Sequence, residues 1–112
     1  MVPMGQDSNI RVVLITCPAG EVAARVARSV VEARLAACVN IVPGVRSIYR
    51  WQGEVCDERE DLLVVKTSAA RLDDLIAHVR DVHPYSVPEV LALVVPTGNP
   101  SYLNWVLSET QE

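Results

Sequence analysis

The 112 residues contain no phenylalanine, two tryptophans, three tyrosines and a single lysine, Lys66. A platform that stacks RNA bases needs several aromatic rings on a sheet, and a phosphate-binding surface needs clustered lysine and arginine. With ten basic residues against fourteen acidic ones and a formal charge of −4, nucleic acid is not the expected partner. Cysteine is scarce and odd in number. Cys17, Cys38 and Cys56 are too widely spaced for a disulfide framework or for the paired CxxC of a zinc site. Long hydrophobic runs are missing too: VLALVV at 90–95 is too short to span a bilayer, and MVPMGQDSN lacks the basic start and apolar stretch of a signal peptide. The expectation is a cytoplasmic protein with no membrane partner. GxSxG, Walker, GxGxxG and HExxH motifs are absent, so no enzyme is expected. No linker-like stretch divides the chain, which reads as a flexible tail at 1–9 and a single domain at 10–112.

What is present is a packed globular pattern, half hydrophobic and 21% charged. Residues 10–16 form an apolar, β-branched run ended by Cys17-Pro18, as expected of a covered strand. From Glu21 the period changes: Val22, Val26, Val30, Ala33 and Ala37 recur every three or four residues, with Glu21/Arg25 and Arg28/Glu32 spaced i, i+4. A second strand starts at Cys38, is interrupted at Pro43-Gly44, and then places Val45, Ser47, Tyr49 and Trp51 on one face. Gln52-Gly53 forms a tight turn, after which residues 54–67 return. That turn predicts Trp51 opposite Glu54, Tyr49 opposite Cys56 and Ile41 opposite Val64. Ser68 is the expected N-cap of a second helix carrying Leu72, Leu75, Ile76 and Val79, and Pro84 ends it. Residues 90–95 form the last strand. Asn99-Pro100 then opens a short helix with Leu103, Val106 and Leu107 as its stripe. The fold class is α+β, a ferredoxin-like β-α-β-β-α-β sandwich with an additional C-terminal helix and a long extended β-hairpin.

Each hairpin arm has about fourteen residues, or about 45 Å of strand, against about 17–20 Å for an ordinary strand. The distal half must leave the sheet, or fold back over it at Pro43-Gly44. Tyr49 and Trp51 on one face of a ribbon that is marginal by itself point to pairing with further copies, hence a homo-oligomer.

In order and spacing, AACVNIVPG, SIYRWQGEV, LLVVKT, HPYSVPEV and the closing YLNWV resemble the CutA family, the small divalent-cation-tolerance proteins. The resemblance implies a homotrimer of ferredoxin-like subunits, similar in architecture to PII signalling proteins, with extended hairpins pairing across subunits. Tyr49, Trp51 and Tyr85 become the expected trimer interface. It further implies a role in tolerance of copper and other divalent ions, with copper binding in some members. Those members resemble one another in a cysteine near the end of the first strand and two adjacent histidines before Pro-Tyr. This sequence departs at both places: Val82-His83 stands where the histidine pair would be, and Cys17 lies two residues later than the expected cysteine.

The topology brings the end of the first strand, the end of the second helix and the start of the fourth strand to one rim. Cys17 and His83 are therefore the candidate metal ligands, for copper or another divalent cation, with Glu89 as a weaker oxygen donor. The competing reading makes Cys17 a buried strand residue and His83 a helix-end hydrogen-bonding group, within an elbow stiffened by Pro84 and Pro88. His78 reads as solvated and Cys38 as a packed thiol. Cys56 sits by the acidic run Asp57, Glu58, Glu60 and Asp61, which raises rather than lowers a thiol pKa. Those carboxylates read as a loose attractor of cations or a solvated face, within reach of Arg46, Arg50 and Arg59. Lys66 reads as a snorkelling side chain or as a neighbour of Glu89 or Trp51 in a cleft. Two functions follow: a trimeric metal-tolerance protein, and a PII-like signalling or scaffold trimer that binds a small ligand or a protein partner at subunit clefts. Acylphosphatases share the topology, but their glycine-rich loop is not found in TCPAGEVA.

Overall fold

A computed structural model describes residues 6–112. The elements run β1 (Ile10–Pro18), α1 (Glu21–Glu32), β2 (Cys38–Trp51), β3 (Glu54–Ser68), a 3-10 turn (Ala69–Arg71), α2 (Leu72–Val82), β4 (Val90–Val95) and α3 (Pro100–Glu109). The strands form one antiparallel sheet in the order β2-β3-β1-β4. This is the ferredoxin-like arrangement expected from the sequence, with α3 added.

Side chains in β1 alternate across the sheet, and the alternation decides where the core lies. Val13, Ile15 and Cys17 point to one face and meet Leu63 and Val65 of β3; Ala23, Val26 and Val30 of α1 and Leu75 and Val79 of α2 cover them. Burying one such aliphatic side chain contributes roughly 1.5–3 kcal/mol, so this face supplies most of the hydrophobic stabilisation. The opposite face, with Val12, Leu14, Leu62, Val64, Leu91 and Leu93 side by side across three strands, has no helix over most of its area. Only its end is closed, by α3, whose Val106 is buried and whose Thr110 hydroxyl lies within hydrogen-bond distance of Ser68 Oγ (3.0 Å) and the Val106 carbonyl (2.8 Å).

β1 pairs with β3 only as far as Pro18 opposite Glu60, so residues 45–59 continue as a two-stranded ribbon. The radius of gyration, 15.0 Å, exceeds the roughly 13 Å of a compact chain of this length for that reason. Gln52 and Gly53 both have positive φ, the primed turn that suits the twist of paired strands.

Trp51 faces Glu54 and Tyr49 faces Cys56, as the turn predicts, but Ile41 pairs with Leu63 and not with Val64. The difference is a bulge. Pro43 and Gly44 together stand opposite Asp61, so the register shifts by one residue between Val42 and Val45. Gly44, at φ 71°, turns its N–H away from the ladder to donate to Asp61 Oδ1 at 3.1 Å, and Gly20 N–H donates to Asp61 Oδ2 at 3.3 Å. One carboxylate thereby holds both the bulge and the start of α1.

Ser68 does not cap a helix through its side chain; it is the last residue of β3, buried against Thr110. Asn99 caps α3 as expected, accepting from the Ser101 N–H. Part of the expected tail, residues 1–5, lies outside the described residues. Next to it, Asp7 pairs with Arg11 at 2.8 Å, and Ser8 hydrogen-bonds the Val95 carbonyl through both its N–H and its hydroxyl.

Candidate functional site

α2 ends at Val82, because Pro84 cannot continue it, and the backbone turns there with His83 as C-cap. The imidazole folds under the elbow. Tyr85 N–H donates to Nδ1 at 3.1 Å, so the proton sits on Nε2, which donates to the Thr16 carbonyl at 2.8 Å. Both ring nitrogens are thus engaged within the chain, and the rings of His83 and Tyr85 lie 4.8 Å apart.

Cys17 is the neighbour of Thr16 in sequence but points to the opposite side of the sheet, into the core. Burial pushes its thiol up to about 11, with the negative charges of Asp61 and Glu60 adding to the effect and Arg25 opposing it. Glu89 lies elsewhere, on the rim beside Tyr85 and Glu60, where burial and the Glu60 charge raise its pKa. The three expected ligands are therefore not brought together. Among the described residues no three His, Cys, Asp or Glu side chains are placed to hold a metal ion. The donor set does not fit copper in this conformation: the thiol is protonated and enclosed, and the imidazole has no free lone pair.

A concave feature lies between the ribbon and the 85–89 elbow. It has a volume of about 720 Å³ and is lined by Thr16 and Ser47, by Tyr49 and Trp51 from β2, by Glu58 and Glu60 from β3, and by Tyr85 and Glu89 from the elbow. Ser47, Tyr49, Glu58 and Glu60 share one face of the ribbon, turned towards the elbow. Tyr85 Oη donates to Glu60 Oε2 at 2.9 Å. Desolvation, followed by the Glu60 contact, raises the Tyr85 phenol. Desolvation and then Glu58 push Tyr49 up to about 12. Tyr85, expected at an interface, is thus also tied to its own chain.

The acidic run divides into two parts that its composition does not separate. Asp57 pairs with Arg46 at 2.6 Å in solvent, whereas Glu60 and Asp61 are buried, where a solvated face was expected. The signal for this was adjacency: the pair sits against the apolar LLVV, opposite Pro18 and the bulge. His78 is likewise not simply solvated, since Nε2 lies 3.1 Å from Ser29 Oγ on α1. Cys38 is half-buried on the sheet face without helices, opposite Lys66, rather than packed in the core. Lys66 donates to Asn40 on that same face.

The family model of the CutA1 divalent ion tolerance protein matches residues 11–109. The chain belongs to that family. The divalent-cation tolerance protein CutA of Thermus thermophilus is 54% identical over 99 residues, covering 88% of this chain and 96% of that protein. Protein CutA of Mus musculus is 47% identical over 103 residues; the match covers 92% of this chain but only 58% of the mouse protein, so the chain spans little more than half that relative's length. The solved structure of CutA1 from Oryza sativa aligns with a TM-score of 0.90 at 44% identity, covering 96% of this chain and 99% of that one. The overall fold found here is thus that of the solved CutA1 structures.

Proposed function

We propose that this chain acts in divalent-cation tolerance as a cytoplasmic homotrimer without enzymatic chemistry. One observation carries the assembly: the apolar sheet face opposite the helices, where Leu91 is 57% and Leu93 51% exposed. Side chains of this kind, contiguous across three strands, need a partner surface. Further copies supply it most simply, because β4 is an edge strand and the ribbon is a second unpaired element of the same chain. Tyr49 and Trp51 extend the interface along the ribbon. Three free cysteines suit a reducing compartment.

The relation to metal is supported by the family and not by a resident copper site, given where Cys17, His83 and Glu89 lie. That same misfit favours a second reading, in which the trimer is a PII-like regulator or scaffold whose ligand or partner binds at the clefts. Two measurements test the proposal. Light scattering of the purified chain is expected to give three times 12.3 kDa, and a mass of one chain would overturn the assembly. Expression in a bacterial host lacking its own CutA is expected to restore growth in copper, zinc or cobalt; no restoration with any of these ions would remove the tolerance role and leave the scaffold.

A further inference from the structure

α3 is held by its end more than by its face. The helix buries one side chain, Val106, and ten residues make only a marginal helix without tertiary support. Its last residues carry the ties. Arg34 Nε donates to the Gln111 carbonyl and Nη2 to the Ser108 carbonyl, both at 3.1 Å, with Glu109 Oε2 3.8 Å from the same Nη2. Arg71 Nη1 donates to Glu112 Oε1 at 2.7 Å. Between these ties Thr110 is buried, its hydroxyl against Ser68 at the end of β3. Arg34 itself has φ 59°, the left-handed position just past α1 where glycine is the usual residue. An arginine there accepts backbone strain, and its side chain gains the carbonyls of residues 108 and 111.

The same ties open without stranding a charge. Arg71 is only 12% exposed, but Asp74 Oδ2 lies 3.1 Å from the same Nη1 and keeps it paired when Glu112, 81% exposed, leaves. Arg71 Nε is buried without a partner even when Glu112 is in place. Arg34 and Glu109 are both exposed, and pairs of that kind are weak and screened by salt. Residues 96–99 join β4 to α3 outside either element and supply a pivot. Tyr102 and Trp105, exposed and with rings 5.7 Å apart, stand at the end of the sheet face that lacks helices, where burial and then nearby Cys38 raise the Tyr102 phenol. α3 is thus a movable end wall of that face. We propose that residues 108–112 form an ionic latch that holds α3 at the end of the open sheet face, and that the chain assembles only while the latch is closed. Closed, it leaves Leu91 and Leu93 clear for another copy; open, it frees the Leu103, Val106 and Leu107 stripe to compete for them. This rests on the assembly proposed above and adds its control.

Hydrogen exchange of the α3 amides and sedimentation velocity over a dilution series test the two halves of this proposal on the full chain. Arg34→Gly removes the guanidinium while suiting the φ 59° backbone, and Arg71→Gln removes the charge beside Glu112. The double variant is expected to exchange residues 103–109 about tenfold faster or more with β1 and β3 unchanged, and to dissociate at roughly tenfold higher concentration, the effect of one lost charge-assisted hydrogen bond. Glu112→Gln, at a side chain too exposed to unfold the body, is expected to shift both readouts the same way by a smaller factor, and keeps the test valid if the double variant misfolds. Added sodium chloride should speed α3 exchange in the unaltered chain but not in the double variant. Unchanged α3 exchange in the folded double variant and in Glu112→Gln overturns the latch. Faster exchange with an intact trimer at every dilution overturns the coupling. A one-chain mass for the unaltered protein would remove the assembly and this control of it together, so the two failures are read apart.

Discussion

Leu63 on β3 and Leu93 on β4 are the same side chain in the same sheet, yet the first has no exposed surface and the second is 51% exposed. The difference is one of facing. Leu63 points towards α1 and α2, whereas Leu93 shares the other side with Val12, Leu14 and Leu91, where only α3 closes one end. Hydrophobicity alone therefore does not mark the core of one chain. A sheet apolar on both faces, with helices on only one, is half of a larger core.

The sharpest way to break this comparison is to place the same charge on each face. Leu63→Asp is expected to unfold the chain, since an unpaired buried carboxylate costs more than about 4 kcal/mol, and the cooperative urea transition should be lost. Leu93→Asp should keep the circular dichroism of the fold while the light-scattering mass drops to that of one chain; equal unfolding of both variants would erase the distinction. Tyr85→Phe comes next. It removes the hydroxyl that donates to buried Glu60, and the urea midpoint should fall by an amount equivalent to about 1–3 kcal/mol at unchanged slope.

Alkaline pH sharpens the contrast on the covered side. The Cys17 thiol ionises at about 11 in the folded chain against 9.0 for an ordinary thiol. Its folded pKa is raised, so the associated stability is complete below pH 9 and is lost as pH climbs towards 11, at up to about 1.4 kcal/mol per pH unit. Cys17→Ala should flatten that decline. A thiol reagent at neutral pH should label Cys38 and Cys56 well before Cys17. The smallest effect belongs to the turn: Gln52 has φ 49°, and Gln52→Asn is expected to gain a few tenths up to about 1 kcal/mol in thermal unfolding, because asparagine tolerates that region better.

Element order, the second helical stripe and the Val26–Val30 part of the first were legible because each depends on near-neighbour spacing; Ala33 and Ala37 do not continue the first stripe, since α1 ends at Glu32 and buries Ala23 and Ala27 instead. Trp51 opposite Glu54 was legible for the same reason, being set by a two-residue turn. The register nearer the sheet was not, since Pro43-Gly44 signals an interruption without saying how many residues the partner strand places against it. The burial of Glu60 and Asp61 was hidden as well. Both look solvated until a bulge and the 85–89 elbow, distant in sequence, close over them. Cys17 and His83 were correctly placed near one rim, but strand alternation sends the thiol through to the other side of the sheet. Rim proximity and side-chain direction are separate facts, and topology supplies only the first.

The extra residue at Pro43-Gly44 has a consequence for chain length. Removing Gly44 would leave Pro43 alone against Asp61, with Val42 still facing Leu62 and Val45 still facing Glu60. Every cross-strand neighbour would survive, and only the local bend and the contacts of Gly44 with Asp61 and Arg59 would go. Where the ribbon aims is therefore open to change by a one-codon deletion, independently of what its two surfaces display.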